Sequence, residues 1–378
     1  MKGVKDSLSR DLARLKNIDP VLVLSAVILF FTGLLVIYSA TSGKGGVLAT
    51  LVYRQALWGV VSCFAFLVAF CIGHERFFRW SVPLYVAVLA VLLLVFVLGT
   101  VSRGAQSWIN VGRFLNIGAV SLQPSEAGKF ALALFLSSWL FRYPPVKVGR
   151  FLGSLALAGA SGALVLLQPD LGTAAVYGVI TIAALFAAGT PKKYLLGTFL
   201  AGFAALPMGW MLLKEYQKLR LLVFINPYLD PLGAGYNVIQ SRIAVGAGGL
   251  FGKGFLKGTQ SKLHFLPEPH TDFVFSVFAE EFGFLGAVIV IGLFTVLLWR
   301  IIGIGVRTKD TRARIFVAGI SGWFWFQTVE CIAMSMGLAP VTGLPLPFVS
   351  YGGSALLSLA VALGILQSIF VSTRRQYS

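Results

Sequence analysis

Charge is scarce in this chain of 378 residues: Asp, Glu, Lys and Arg together make up 12%, about half of what a soluble globular domain carries. Histidine and cysteine are scarcer still, at three residues each. Cys63, Cys71 and Cys331 lie inside apolar segments at no metal-ligand spacing, which excludes a zinc or iron–sulfur framework and reads as small hydrophobic residues. The Gly-rich stretch GAGGLFGKGFLKG satisfies neither the G-x-G-x-x-G nor the Walker spacing, and no soluble strand–helix unit surrounds it. A nucleotide-binding loop is therefore excluded.

What fills the chain instead is hydrocarbon: 57% of residues are hydrophobic and mean hydropathy is +0.85. Apolar runs fall at 21–40, 52–72, 80–101, 124–141, 149–167, 171–189, 193–213, 272–301, 313–337 and 348–371. Runs of ~20 apolar residues specify membrane-spanning helices, because lipid leaves each backbone N–H and C=O to pair within its own segment. The expected fold is thus an all-α polytopic membrane protein of ten helices in one integral domain. No small-residue cleavage pattern follows the first run, so it is expected to be a retained span.

The net charge of +17 would suggest nucleic acid in a soluble chain. Here Lys and Arg gather in short loops between spans: 19 on the side of the N-terminus against 4 in the short loops of the other side. The excess sets orientation, N-terminus and C-terminus in the cytoplasm, and no nucleic-acid partner is implied. Two long connections, 102–123 and 214–271, then face outward. The second contains YNVIQSRIAVGAGGLFGKGFL, whose apolar residues suit a helix lying at the membrane surface.

Ionisable residues at membrane depth are read as functional unless a structural partner explains them. Glu126 and Lys129, three apart in QPSEAGKF, are neighbours on one helix face, either a neutralised pair or the wall of a polar cavity. Asp170 in QPDLGT suits a helix N-cap. On the 102–123 connection Arg103 can hold a phosphate bidentately, and Trp108 suits either an interfacial anchor or a substrate contact. Lys253 and Lys257 can attract an anionic headgroup. The stretch HFLPEPHTDFVFSVFAEE places Asp272 at a helix mouth, with Glu280 and Glu281 inside the helix on different faces. Asp272 suits either an N-cap or a general base. Glu330 is a further buried acid. GLAPVTGLPLPFVSYGGS is broken by Pro and Gly, and backbone of that kind is tolerated at depth only where protein covers it or it lines a cavity.

Several of these stretches, in order and over nearly the whole chain, carry a family likeness. RGAQSWIN, QPSEAGK, QPDLGTA, the block from DPLGAGY to FAEEFGFLG, and GLAPVTGLPLPFVSYGGS resemble the SEDS family, closer to its RodA branch than to its FtsW branch. The resemblance implies a peptidoglycan glycosyltransferase that polymerises lipid II at the outer face of the bacterial cytoplasmic membrane during elongation. It works beside a class B penicillin-binding protein and other membrane proteins of the elongation complex. It also implies that Asp272, in the pattern P-x-H-T-D-F, is the catalytic aspartate, acting as general base, and that Trp108, Glu126 and Lys129 belong to the substrate cavity; Arg103, Lys253, His270 and Glu280 are expected to contact substrate as well. No cofactor is certain, and a divalent cation, Mg or Mn, is compatible with a diphosphate leaving group. A lipid II flippase and an FtsW-like division polymerase are the alternatives. The chain departs from the family pattern at Ser107, at His264 and at Glu330-Cys331.

Overall fold

A computed structural model describes residues 17–42, 50–102, 105–110, 121–263 and 265–376. Seven long helices come first: α1 Pro20–Thr41, α2 Leu51–Ile72, α3 Ser81–Leu98, α4 Pro124–Arg142, α5 Val148–Leu167, α6 Leu171–Ala187 and α7 Lys192–Leu212. Two shorter ones, α8 Glu215–Ile225 and α9 Ala234–Ala247, lie in the long connection together with single turns at Pro227–Leu229 and Thr259–Lys262. Three more complete the chain: α10 Val274–Arg307, α11 Thr311–Met336 and α12 Gly353–Arg375. Each of the ten apolar runs is a helix, and eight are long and apolar enough to cross a membrane. α6 is shorter, and the charges of α4 lower its hydropathy.

Sequence chemistry sets the ends. Asp19 caps α1, accepting from the N–H groups of Val21 (3.1 Å) and Leu22 (3.3 Å), with Pro20 in the first turn. Asp170 caps α6 through the Thr173 N–H at 2.9 Å, as its residue type suggested. Gly337, at φ 72°, closes α11 in the left-handed conformation that glycine adopts without penalty. The connection 102–123 holds strands that the sequence did not signal. Among the described residues β1 Thr100–Ser102, β2 Ala105–Asn110 and β3 Ser121–Leu122 pair antiparallel in the order β1-β2-β3.

The interior is built by α4, α6, α11 and α12, which contribute Leu132, Leu134, Ile180, Phe316, Trp323, Ile365 and Leu366, each 2% exposed or less. α7 sits outermost, with Phe199, Phe203, Leu206 and Met211 all exposed, as suits a side facing lipid. Of the cysteines only Cys331 is buried; Cys63 is exposed on α2.

The Gly-rich stretch finds its purpose in α10, which is not one continuous helix. Gly283 interrupts it at φ 65° and ψ −165°. The Phe284 and Leu285 N–H groups bond outward to the carbonyls of Gly249 (2.8 Å) and Leu250 (3.1 Å). In return the carbonyls of Glu280 and Glu281 accept from the N–H groups of Lys253 (3.0 Å) and Gly254 (2.9 Å). A break in a membrane helix leaves orphaned backbone groups, and here the loop after α9 satisfies them. The approach is so close that a Cβ at Gly283 would lie 2.2 Å from the Gly252 nitrogen, and one at Gly252 2.1 Å from the Glu281 oxygen.

Candidate active site

The segment between α11 and α12 is non-helical, yet Leu344, Leu346 and Val349 are buried. Its backbone is held by side chains. Gln327 Nε2 donates to the Pro345 carbonyl at 2.7 Å, and Gln55 Nε2 donates to the Ser350 carbonyl at 3.3 Å. The Gly352 N–H donates to Gln55 Oε1 at 3.2 Å. The segment in turn grips the residues ahead of α10: the Ser350 hydroxyl donates to the Thr271 carbonyl at 2.7 Å, and the Tyr351 N–H to the His270 carbonyl at 2.9 Å. Asp272 is thereby positioned through the two residues that precede it.

Helix α10 begins at Val274 with Phe273 in the capping position and no side-chain cap. Asp272 is therefore not an N-cap, and its half-buried carboxylate lines a cavity of about 930 Å³. The lining comes from one end of the long helices. It includes Arg54 and Trp58 of α2, Ser107 and Trp108 of β2, Gln123 ahead of α4, and Asp170. Tyr216 and Arg220 of α8, the turn 270–272, Pro345, and the stretches 340–343 and 351–355 also contribute. Asp170 is committed to structure: one carboxylate oxygen takes the Thr173 N–H and the other accepts from Gln123 Nε2 at 3.2 Å. Burial pushes the Tyr216 phenol up, the nearby Arg220 opposing the shift in part. The phenol therefore stays a protonated donor at neutral pH.

Not every residue singled out in the sequence meets at this cavity. Asp272, His270 and Trp108 do. Glu126 and Lys129 form the expected pair at 2.6 Å, 2% and 0% exposed, one step behind the wall. Lys129 Nζ also donates to Gln327 Oε1 at 2.9 Å and lies 5.6 Å from the Trp323 ring centre. Through Gln327 the pair steadies Pro345, which is part of the lining. Glu280 and Lys253 are elsewhere, bound to each other at 2.8 Å. Glu280 is fully buried and accepts from the Thr259 N–H (2.8 Å) and the Gln260 N–H (3.1 Å), so it anchors the connection ahead of α10. Glu281 accepts from the Ser39 hydroxyl, joining α10 to α1. Arg103 and His264 lie outside the described residues.

Sequence reasoning missed Arg54 and Arg220. Arg54 counted only as a charge at a helix end, and Arg220 only as one of seven in a long connection. The available signal was a guanidinium beside an aromatic pair, Tyr53 and Trp58, at the start of an apolar run.

Among the described residues no cluster of three or more His, Cys, Asp or Glu could hold a metal ion. Asp272 could offer a cation only a small share of its ligands, the rest falling to substrate phosphates and water.

A bundle of lipid-length helices with a cavity at one end, lined by apolar, aromatic and charged side chains and with a held carboxylate in its wall, defines a membrane protein built to act on amphipathic molecules. Comparison with known proteins is more specific. The family model FTSW_RODA_SPOVE, described as "Cell cycle protein", matches residues 20–375, and the chain belongs to this family. It is 38% identical over 367 residues to the "Probable peptidoglycan glycosyltransferase FtsW" of Trichlorobacter lovleyi, covering 94% of each chain. It is 37% identical over 357 residues to the "Peptidoglycan glycosyltransferase MrdB" of Escherichia coli K12, covering 93% of each. Among solved structures it matches a chain of a peptidoglycan synthase complex with TM-score 0.80 and 33% identity, over 96% of this chain and 99% of that one. It also matches Thermus thermophilus RodA with TM-score 0.70 and 29% identity, over 96% and 98%.

Proposed function

We infer that this enzyme, a peptidoglycan glycosyltransferase, joins lipid-linked disaccharides at the cavity, with Asp272 as general base. The donor is a growing glycan carried on undecaprenyl diphosphate, and the acceptor is the 4-hydroxyl of the N-acetylglucosamine of lipid II. The acceptor oxygen forms a bond to the donor's anomeric carbon as the bond from that carbon to the diphosphate oxygen breaks. The hydroxyl proton passes to the Asp272 carboxylate, and the bonding pair leaves with undecaprenyl diphosphate. One displacement inverts the anomeric centre, as when a carboxylate activates the nucleophile of an inverting glycosidase.

The observation that carries this reading is the seat of Asp272. It lies one residue ahead of the capping position, in the wall of a 930 Å³ cavity that aromatic and cationic side chains share. Every lining segment lies at one end of the helices, which suits chemistry at one membrane face more than passage through both leaflets. With the N-terminus cytoplasmic, that end faces outward. The membrane is then the bacterial cytoplasmic membrane, and a class B penicillin-binding protein is the crosslinking partner, in line with the synthase complex that the chain resembles. The reading is tested by incubating the purified protein and its penicillin-binding partner with lipid II and resolving the glycan by gel. Strands are expected from the wild type and none from Asp272→Ala. Equal strands from both would overturn the assignment, and lipid II crossing liposomes without strands would turn it to transport.

A further inference from the structure

We propose that Arg54 and Arg220 are the ligands for the diphosphate groups of the lipid-linked substrates, an inference that rests on the polymerase reading above. Both guanidinium groups line the cavity that contains Asp272, and they reach it from separate elements, α2 and α8. Among the described residues neither is ion-paired to a carboxylate. The contrast with the rest of the interior is direct: Lys129 is neutralised by Glu126, Arg300 by Asp19 and Lys253 by Glu280. A cation kept at a membrane-embedded cavity without a counter-charge of its own is matched to an anion that arrives.

Both side chains are steadied with donors to spare. Arg54 lies beside the Tyr351 phenol. Arg220 lies 5.8 Å from the Tyr216 ring centre, and its Nη1 donates to the Val341 carbonyl at 3.5 Å. A guanidinium has five N–H donors in a rigid fork that fits phosphate oxygens two at a time. Each holder also leads back to the carboxylate. Tyr351 bonds to the His270 backbone, two residues from Asp272. Val341 is two residues from Gly343, where a Cβ would sit 3.7 Å from Asp272 Oδ2. The reaction brings two lipid diphosphates to one carboxylate, the donor's leaving group and the acceptor's anchor. Two forks on separate elements supply one for each.

The test uses full-length protein in lipid nanodiscs. Binding of undecaprenyl diphosphate and of undecaprenol is measured for wild type, Arg54→Gln, Arg220→Gln and the corresponding lysine variants, alongside strand synthesis with the penicillin-binding partner. Each glutamine variant is expected to weaken diphosphate binding by roughly tenfold or more, with undecaprenol binding unchanged. Lysine is expected to recover part of the loss, because charge returns without the fork. The variant whose arginine holds the leaving group should lose kcat, and the other should raise KM. Wild-type diphosphate affinity in both glutamine variants would overturn the proposal, as would parallel loss of diphosphate and undecaprenol. If wild type makes strands while these variants bind normally, this inference alone fails. If Asp272→Asn also makes strands, the base assignment fails instead.

Discussion

At the scale of single residues, the acids and bases of this chain divide by whether a partner already accounts for them. Glu126 and Lys129 neutralise each other out of contact with water. Removing one partner of a buried pair leaves the other uncompensated, at about 3–5 kcal/mol. Lys129→Met should therefore lower the thermal unfolding midpoint in detergent sharply, and Lys129→Met combined with Glu126→Gln should recover most of the loss. A combination no more stable than the single variant would show that the pair does more than neutralise itself. The sequence displayed this pair through its three-residue spacing, since spacing along a helix is local. Glu280 shows the opposite case. Its partners, Lys253, Thr259 and Gln260, are 20 to 27 positions away, and no periodicity could bring them together. Asp272 was legible as an acid at a helix mouth, yet whether it capped the helix depended on a start shifted to Val274.

At the scale of elements, the break in α10 couples the helix that follows Asp272 to the loop after α9. Four backbone hydrogen bonds cross between them, and the contact leaves no room for a side chain at Gly252 or Gly283. Gly283→Ala should cost at least about 1–3 kcal/mol from the backbone conformation alone. Its clash with Gly252 should speed amide exchange across 249–254, measured by hydrogen–deuterium exchange. Unchanged exchange in that segment would contradict the coupling. Glu280→Gln should loosen the same connection around Thr259 and Gln260 while leaving the 340–352 segment protected. The ten long helices were readable because the hydrophobic pattern is local and strong. The Gly-rich stretch was not, because its glycines answer to backbone atoms of a distant helix. The small sheet was missed for a similar reason: its strands are short and its pairing joins β3 to β2 across a long connection.

At the scale of the whole molecule, a lipid-facing bundle carries a cavity at one end, and on the proposed reading that cavity serves the glycosyl transfer for which the relatives are named. Membership was legible from ordered motifs across the chain, and it extends over residues 20–375. Branch is a finer matter, since the identities to an FtsW and to an MrdB relative, 38% and 37%, are nearly equal. A role in elongation predicts that depleting the protein from its host gives rounded cells, whereas filaments with failed septa would place it in division. The central claim, that Asp272 takes the acceptor proton, has a direct test in single-turnover glycan synthesis by protein reconstituted with its penicillin-binding partner. Asp272→Asn preserves size and removes the base. It should slow bond formation by roughly 10²–10⁴-fold while binding undecaprenyl diphosphate as the wild type does. Bond formation at the wild-type rate in that variant would contradict the account.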